Sequence, residues 1–250
     1  MSTAEIIAGL HSVRTALNYN VKSIKALLYD PTRHDRKLTE LLEQATKLNI
    51  PIQATERSIL DRLTNAINHQ GIAAQVTSSV AWPESAIPGL IAKELISPPL
   101  LLILDSVQDP HNLGACLRTA EAAGCRAVIA PKDRSVGLTP SVCKVASGAA
   151  NIVPYIQVTN LARTLRLLRD LGLWIVGAAA DAPISLYKSK LVGPLGVVIG
   201  GEEKGLRRLT RENCDILVSL PMLGVVESLN VSVATGILLY EILRQRTEIN

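Results

Sequence analysis

After residue 99 the apolar positions fall into short unbroken runs separated by polar, glycine-containing loops. The runs cover residues 100–104, 127–130, 174–180, 195–199 and 216–220. Runs of this length without alternation are typical of strands covered on both faces, so the pattern predicts a mostly parallel sheet. Helical periodicity lies between the runs, at residues 113–123, 161–171 and 228–246. The last of these helices is apolar almost all round, which predicts burial in a core or in a subunit interface.

The pattern of apolar positions is different in the first part of the chain. Helix-like patterns occur at residues 11–18, 35–48 and 56–63, and strand-like runs at 24–29, 50–54 and 72–76. This alternation predicts a small α/β domain near the lower size limit for independent folding. Residues 77–99 hold four prolines and interrupt both patterns. We therefore predict an α/β protein with an N-terminal domain at 1–76, a linker at 77–98 and a second domain at 99–250.

Composition narrows the class of protein. The chain is 48% hydrophobic and 19% charged, too apolar for a disordered protein, and it holds no apolar run of the about 18 residues that a membrane span needs. It has no Phe and only two Trp, which argues against a protein that binds nucleic acid by stacking many bases on aromatic side chains. The net charge of +4 permits a polyanionic partner without requiring one.

Cysteine spacing predicts the compartment. The four cysteines stand at positions 116, 125, 143 and 214, without a CxxC pair or a metal-ligand spacing with the histidines. We expect free thiols in a reducing compartment, and therefore a cytoplasmic protein.

Three polar loops follow predicted strands, at residues 105–119, 200–205 and 220–232. In an open parallel sheet, ligands bind at loops that leave the carboxyl ends of strands. Common nucleotide and hydrolase motifs are nevertheless missing: no GxGxxG, no GxSxG and no HExxH occurs, and Gly205 is followed by Leu206 and Arg207 and not by the Lys and Ser/Thr of a phosphate-binding loop. An NAD-dependent oxidoreductase is disfavoured for the same reason.

The three loops instead resemble the signature motifs of the SpoU/TrmH family of RNA ribose 2′-O-methyltransferases, which belong to the SPOUT class. The matches are N-x-G-x-x-x-R-T at 112–119, I-G-G-E-x-x-G at 199–205 and L-P-M-x-G-x-x-x-S-L-N-V-S-V-A at 220–234. The segments 11–13, 16–17 and 69–73 resemble the accessory RNA-binding domain found in members that methylate 23S ribosomal RNA. One departure is the pair of extra charges at Glu203 and Lys204.

The resemblance implies a fold, a reaction and partners. The fold is a SPOUT catalytic domain with a C-terminal trefoil knot, assembled as a homodimer through that domain. The reaction is methyl transfer from S-adenosyl-L-methionine to the ribose 2′-hydroxyl of a guanosine in 23S ribosomal RNA, without a metal ion. The same chemistry on transfer RNA or at another ribosomal site is the alternative, and an inactive RNA-binding factor is a further one. The presence of the motif residues argues against the inactive factor.

The first motif assigns Arg118 to the chemistry. Its guanidinium is expected to clamp a phosphate of the target nucleotide or to stabilise the ribose oxyanion. An arginine is a poor general base, because its pKa lies above about 12, so the substrate phosphate or another group would take the proton. An ordinary salt bridge to Glu121 or Asp109 is the structural alternative.

Four further residues are expected at the catalytic site: Asn112, Glu202, Ser228 and Asn230. Glu202 would hydrogen-bond Asn112 or the target ribose, unless it is a solvated loop acid. Asn112 could instead be only a helix N-cap, and Ser228 and Asn230 would open the final helix.

The cofactor is expected in a slot of backbone groups around Gly200, Leu220, Met222 and Leu229, with aliphatic side chains over the adenine. The alternative for the two leucines is plain core. The four histidines, at positions 11, 34, 69 and 111, are expected to be structural or to face RNA.

Overall fold

A computed structural model describes residues 4–19, 21–64, 69–77, 81–92, 97–202, 205–226 and 228–247. It divides the chain into two compact units, Met1–Val80 and Ala81–Asn250. The side chain of His11 and the whole of Glu203 and Lys204, which the sequence analysis singled out, lie outside the described part.

The first unit is a four-stranded sheet with helices. Its strands are β1 (Ala4–Ala8), β2 (Ile24–Tyr29), β3 (Ile52–Ala54) and β4 (Ile72–Thr77), and its helices are α1 (Leu10–Tyr19), α2 (Arg36–Lys47) and α3 (Arg57–Leu63). The strand order is β1-β4-β2-β3, with β4 antiparallel to both neighbours and β3 parallel to β2. Val13 and Leu17 of α1 and Leu41 of α2 are buried against Leu27 and Val76 of the sheet. The hydrophobic pattern missed β1, which lies at the edge of this sheet.

The second unit is built on a seven-stranded sheet. Its strands are β5 (Leu100–Asp105), β6 (Ala127–Pro131), β7 (Tyr155–Val158), β8 (Trp174–Ala178), β9 (Ile184–Ser185), β10 (Leu195–Gly200) and β11 (Ile216–Ser219). Its helices are α4 (Ile87–Ala92), α5 (Pro110–Ala122), α6 (Pro140–Val145), α7 (Leu161–Asp170), α8 (Arg208–Glu212) and α9 (Val231–Thr247). The strand order is β7-β6-β5-β10-β8-β11-β9, and each neighbouring pair is parallel. The predicted parallel α/β sheet is confirmed.

Both faces of this sheet are buried, which explains the unbroken apolar runs. Along β5, Leu102 and Leu104 belong to the core that includes α5 and α9, whereas Leu101 and Ile103 belong to the core that includes α7. All six residues of β5 are buried, including the terminal Asp105. A strand covered on both sides has no polar face, so its sequence cannot alternate.

Part of the predicted linker packs on the second unit. Trp82 forms an isolated parallel bridge with Ile156, and its backbone N–H donates to the Tyr155 carbonyl at 2.8 Å. Ile87 is 1% exposed and belongs to the same core as Ile156. An apolar side chain between prolines therefore anchors residues 81–92.

Helix α9 is less evenly buried than its composition predicts. Leu238, Leu239 and Ile242 are fully buried in the core, whereas Val233 and Tyr240 are about half exposed, at 50% and 51%. One face of α9 thus covers the sheet and another faces outward. Among the described residues, no helix combines the length and apolarity needed to traverse a bilayer.

Candidate active site

The three predicted loops leave the same edge of the seven-stranded sheet. Asp105 ends β5, Gly200 ends the adjacent β10, and Ser219 ends β11, which is separated from β10 only by β8. Because all these strands are parallel, their carboxyl ends bring the loops that follow them to one edge. We call this the carboxyl edge.

The first loop ends in a helix that begins earlier than the apolar periodicity predicts. Asp109 caps α5, since its Oδ1 accepts a hydrogen bond from the His111 N–H at 2.9 Å, and Pro110 occupies the first turn. The interpretation of Asn112 as the N-cap is therefore wrong. Asn112 lies inside the first turn with its side chain turned into the protein, and only 9% of the residue is exposed.

Gly114 of the same motif allows close helix packing. A Cβ at this position would lie 2.6 Å from the Cβ of Val145 in α6 and 2.8 Å from the carbonyl oxygen of Val142. These distances are too short for any side chain, so glycine lets α6 approach α5 directly.

A polar triad joins the three loops: Asn112, Glu202 and Asn230. The amide Nδ2 of Asn112 donates to Oε1 of Glu202, and its Oδ1 accepts from Nδ2 of Asn230 at 3.0 Å. Asn230 in turn caps α9, because its Oδ1 accepts from the Ser232 N–H at 2.9 Å and from the Ser232 hydroxyl at 2.6 Å. One amide thus fixes the relative positions of residues 112, 202 and 230.

The triad leaves acceptor and donor capacity toward solvent. Glu202 is exposed although one of its oxygens is bonded to Asn112, and a carboxylate has about four acceptor sites. It can therefore accept a hydrogen bond from a hydroxyl of a bound ribose while Asn112 holds its orientation. The solvated-acid alternative for Glu202 does not describe this arrangement, because the carboxylate is held by a buried amide.

Ser228 lies outside the triad. Helix α9 begins at Val231, so Ser228 precedes the helix and the prediction that it opens the helix is wrong. The residue is exposed, in the third loop two positions before Asn230.

An ion pair between a buried carboxylate and a partly exposed arginine, which the sequence patterns did not predict, supports the first two loops. Asp105 is 0% exposed, and its Oδ1 accepts from Nε of Arg207 at 2.6 Å while its Oδ2 accepts from the Arg207 backbone N–H at 3.0 Å. The pair ties the end of β5 to the chain that follows the second loop. The signal in the sequence was an acid at the end of an otherwise apolar run, since a buried carboxylate needs a partner.

The second loop turns tightly on itself. The backbone N–H of Gly205 donates to the Gly201 carbonyl at 3.1 Å. A Cβ on Gly200 would lie 2.0 Å from the carbonyl carbon of Gly205, so only glycine permits this contact. The end of β10 is therefore lined by backbone and not by side chains.

The third loop offers apolar side chains and free backbone groups. Leu220 and Met222 are half-buried, and Leu229 is 38% exposed. Apart from any bonds of the β11 ladder, the backbone groups of residues 220–226 form no hydrogen bond with the backbone of another described residue. Unpaired amides and carbonyls beside aliphatic side chains fit the edge and faces of an adenine ring, so the residues present suit the cofactor that the motifs imply.

Arg118 is not brought to the triad within one chain. It is exposed on α5, six residues beyond Asn112, which is about 9 Å along the helix and on a different side. The structural alternative of a salt bridge to Glu121 or Asp109 is not observed, and Arg118 pairs with no acid among residues that the structure describes. Its guanidinium is available to a ligand.

The histidines separate into two groups. His34 and His111 are exposed, whereas His69 is 3% exposed and bonded on both ring nitrogens. Its Nδ1 accepts from the Gly71 N–H at 3.1 Å, which leaves Nε2 to donate to Asp61 at 3.0 Å. His69 therefore has a structural role in the turn before β4.

The cysteines are free thiols, and Cys116 and Cys125 are buried. Burial raises the pKa of Cys116 to about 11 and that of Cys125 to about 12, so neither is a thiolate at neutral pH. No group of three His, Cys, Asp or Glu side chains is arranged to hold a metal ion in the described ranges.

Comparison with known families matches both units. Residues 99–240 match the SpoU rRNA Methylase family, and residues 6–80 match the RNA 2′-O ribose methyltransferase substrate-binding family. The chain is 52% identical, over 98% of its own length and 99% of the relative, to the 23S rRNA (guanosine-2′-O-)-methyltransferase RlmB of Shewanella oneidensis.

Solved structures share the fold. The SpoU methyltransferase AviRb from Streptomyces viridochromogenes aligns with a TM-score of 0.78 and 22% identity, over 99% of this chain and 91% of that one. An AdoMet-bound rRNA methyltransferase from Sinorhizobium meliloti aligns with a TM-score of 0.76 and 22% identity, over 96% and 87% of the two chains.

Proposed function

The chain belongs to the SpoU rRNA methylase family, and from this premise we propose that it methylates the ribose 2′-hydroxyl of a guanosine in 23S ribosomal RNA with S-adenosylmethionine. The observation that carries the proposal is the polar triad, which joins all three motif loops at the carboxyl edge. The high identity to a 23S rRNA guanosine methyltransferase over nearly the whole chain supports the choice of substrate.

The protein's task in this reaction is alignment. Bound S-adenosylmethionine supplies an electrophilic methyl group on a sulfonium. Methyl transfer is an in-line displacement, so holding the ribose oxygen in line with that methyl group contributes most of the rate. Glu202, oriented by Asn112, is placed to hold the ribose, while the backbone of residues 220–226 holds the adenine.

Arg118 supplies charge and not a proton acceptor. Its guanidinium binds the phosphate beside the target ribose and stabilises the negative charge that develops on the 2′-oxygen. Because a guanidinium stays protonated at neutral pH, the proton of the 2′-hydroxyl leaves to an acceptor other than Arg118, either a substrate phosphate or another group.

We propose a homodimer through the catalytic domain, with a site shared between protomers. Val233 and Tyr240 are about half exposed on α9, and Leu223 and Val225 are fully exposed, so these apolar side chains are open to a partner. Arg118 stands away from the triad of its own chain, so it would serve the partner's site. A monomer in sedimentation at micromolar concentration with full activity would rule this out.

Mixed dimers test the shared site directly. Arg118→Ala and Asn112→Ala are each expected to be inactive alone. Random mixing in the same cell should restore about a quarter of wild-type activity, because half the dimers are mixed and each mixed dimer has one intact site. Activity that stays at the level of the single variants would place Arg118 and Asn112 of the same protomer in one site.

The first unit is proposed to bind RNA, and the C-terminal part of the second to form the trefoil knot that the family implies. A fragment beginning at Ala81, where the second compact unit begins, should bind S-adenosylmethionine and lose most of its RNA affinity. A start near Pro98 would remove the buried Ile87. Unchanged rRNA methylation by the Ala81 fragment would remove this role of residues 1–76. A cytoplasmic location belongs to the proposal because the cysteines are free.

The function is tested with purified full-length protein and radiolabelled S-adenosylmethionine. Unmodified 23S ribosomal RNA should accept the methyl group on one guanosine ribose, and transfer RNA should not. Transfer to transfer RNA alone would favour the alternative substrate. Binding of both S-adenosylmethionine and RNA without transfer to any RNA would favour an inactive RNA-binding factor.

A further inference from the structure

A cleft of about 890 Å³ opens at the opposite edge of the seven-stranded sheet. It lies where β8 and β10 begin, between the last turn of α7 and the segment before β10. Its polar and aromatic lining includes Arg166, Arg169, Asp170, Trp174, Lys190 and Asp215. We call this the amino-edge cleft, and neither the motifs nor the triad involves any of its residues.

Trp174 gives the cleft an exposed aromatic face. It is the first residue of β8, a strand with neighbours on both sides, and the following Ile175 and Val176 are fully buried. Trp174 is nevertheless 54% exposed, in a chain with only two Trp and no Phe. An indole left open beside charged side chains is suited to stack on a planar ligand.

Some charged side chains of the cleft form an ion pair, and others pair with no described side chain. Arg169 pairs with Asp215 at 3.2 Å, and Asp215 also accepts from the Ile175 backbone N–H at 2.7 Å, so both side chains are committed. Arg166 and Lys190 are exposed, and neither pairs with an acid among the side chains that the structure describes. The second acid of the lining, Asp170, is exposed and pairs with no base among the described side chains.

The wall that carries Lys190 is fixed. Gln245 of α9 donates from Nε2 to the Ser189 carbonyl at 3.0 Å and accepts the Leu191 N–H at 2.8 Å. The backbone on both sides of Lys190 is thereby anchored to α9. Two unpaired cations therefore stand on rigid elements, α7 and this segment, and line the same cleft as the indole.

An exposed aromatic side chain with unpaired cations in the same cleft is an arrangement that binds single-stranded nucleic acid, by stacking of one base and contact with its phosphates. We infer that the amino-edge cleft is a second RNA contact, which holds an unpaired nucleotide of the substrate that flanks the target. The inference rests on the proposed function, because RNA is the polyanion that the enzyme must bind. It is compatible with the low aromatic content, since it needs one stacking side chain.

The amino-edge cleft is distant from the carboxyl edge. Strands of five or six residues at about 3.3 Å per residue separate the two edges by roughly 15–20 Å. One nucleotide cannot occupy both places. The cleft must therefore act on affinity and not on the methyl-transfer step.

Trp174 fluorescence tests the contact in the full-length protein. Trp82→Phe leaves Trp174 as the single indole, and a fluorescein-labelled oligouridylate reports binding by anisotropy. Oligouridylate should quench Trp174 emission as it binds. Arg166→Glu with Lys190→Glu should weaken binding by about tenfold or more, as should Trp174→Ala, whereas Trp174→Tyr should retain most of it. Lys188→Glu, an exposed lysine outside the cleft, is the matched control for charge reversal.

Methylation of 23S ribosomal RNA supplies the second measurement. The Arg166→Glu, Lys190→Glu variant should raise KM for RNA about tenfold while kcat and S-adenosylmethionine affinity stay unchanged. Oligouridylate binding without quenching, together with an unchanged KM, would overturn the inference and leave the proposed function standing. Quenching by RNA in a protein that transfers no methyl group would instead contradict the proposed function alone.

Discussion

The two edges of the seven-stranded sheet use polar residues in opposite ways. At the carboxyl edge, Asn112, Glu202 and Asn230 bond one another, and the fully buried Asp105 is bonded twice by Arg207. At the amino edge, Arg166 and Lys190 are exposed cations beside the exposed Trp174. The edge proposed to position the reacting atoms is internally bonded, and the other edge leaves two cations, Arg166 and Lys190, unpaired with any described acid.

Helix α9 connects the two edges. Its N-cap Asn230 belongs to the triad, and Gln245 near its C-terminus anchors the wall of the amino-edge cleft. Rigidity at the carboxyl edge suits alignment of an in-line transfer, in which small displacements are costly. Open charges at the amino edge suit RNA binding, which depends on phosphate contacts and weakens with salt.

Removal of Arg207 should produce the largest effect and break the internal bonding of the carboxyl edge. Arg207→Ala leaves the carboxylate of Asp105 buried without a charged partner, although the Ser106 hydroxyl still donates to it at 3.2 Å. Loss of one partner of a buried ion pair typically costs about 3–5 kcal/mol. We expect this loss in the free energy of unfolding by denaturant, together with weaker S-adenosylmethionine binding. The double variant Asp105→Asn, Arg207→Leu should recover much of the stability, because no buried charge remains. A loss below 1 kcal/mol in Arg207→Ala would show that the pair is not needed.

Arg118→Ala tests the proposed catalytic role of Arg118, which, unlike Glu202, pairs with no other described side chain. The rate of methyl transfer should fall about 10²–10³-fold, as when a single donor to a developing oxyanion is removed. S-adenosylmethionine affinity should stay nearly unchanged, and Arg118→Lys should recover little, because an ammonium lacks the planar two-point contact. Arg163→Ala, on the exposed side of α7, is the control. A tenfold weaker affinity for S-adenosylmethionine with normal turnover would mean that the loop roles are reversed.

Leu229→Arg tests whether the cofactor slot is separate from the RNA contacts. A long cation in place of an aliphatic side chain should obstruct the adenine and weaken S-adenosylmethionine binding at least about tenfold, measured by isothermal titration. RNA affinity should not fall, since the substitution adds positive charge. Normal S-adenosylmethionine binding in this variant would place the slot elsewhere.

Glu241 provides the smallest expected effect, at the amino edge. Hydrogen bonds from Arg244 and Gln245 lower the pKa of its carboxyl from 4.5 to about 2. A lowered pKa stabilises the fold above the unfolded value, so this contribution is complete above about pH 4.5 and is lost as pH falls toward 2. Glu241→Gln should remove that part of the acid dependence and lower Tm at pH 7 by about 2–4 °C, as expected for about 1 kcal/mol in a protein of this size. Parallel Tm curves for the two proteins between pH 5 and 3 would contradict it.

Hydrophobic pattern predicted the central strands because burial on both faces leaves a continuous signal. It missed β7, whose four residues include a polar Gln157, and α6, which is only six residues long. Local signals for α6 were present, since Thr139 caps it and Pro140 follows. The same signal at Asp109 and Pro110 would have placed the start of α5 correctly.

The motifs predicted the three residues of the polar triad but only one of the two contacts between them. The contact between Glu202 and Asn112 was anticipated, but the third member's bond to Asn112 joins residues 118 positions apart, which no local pattern encodes. The pairing of Asp105 with Arg207, 102 residues away, depends equally on the parallel pairing of β5 with β10. No motif predicted the amino-edge cleft, because its residues come from three separate segments, 166–174, 190–195 and 215.

We propose that this chain methylates one guanosine of 23S ribosomal RNA at the carboxyl edge. The most direct measurement maps 2′-O-methyl marks in ribosomal RNA from cells that lack the protein and from the same cells given the wild-type chain or Arg118→Ala. One guanosine mark in 23S RNA should disappear, return with the wild-type chain and stay absent with Arg118→Ala. An unchanged 23S methylation map in cells without the protein would contradict the proposed function.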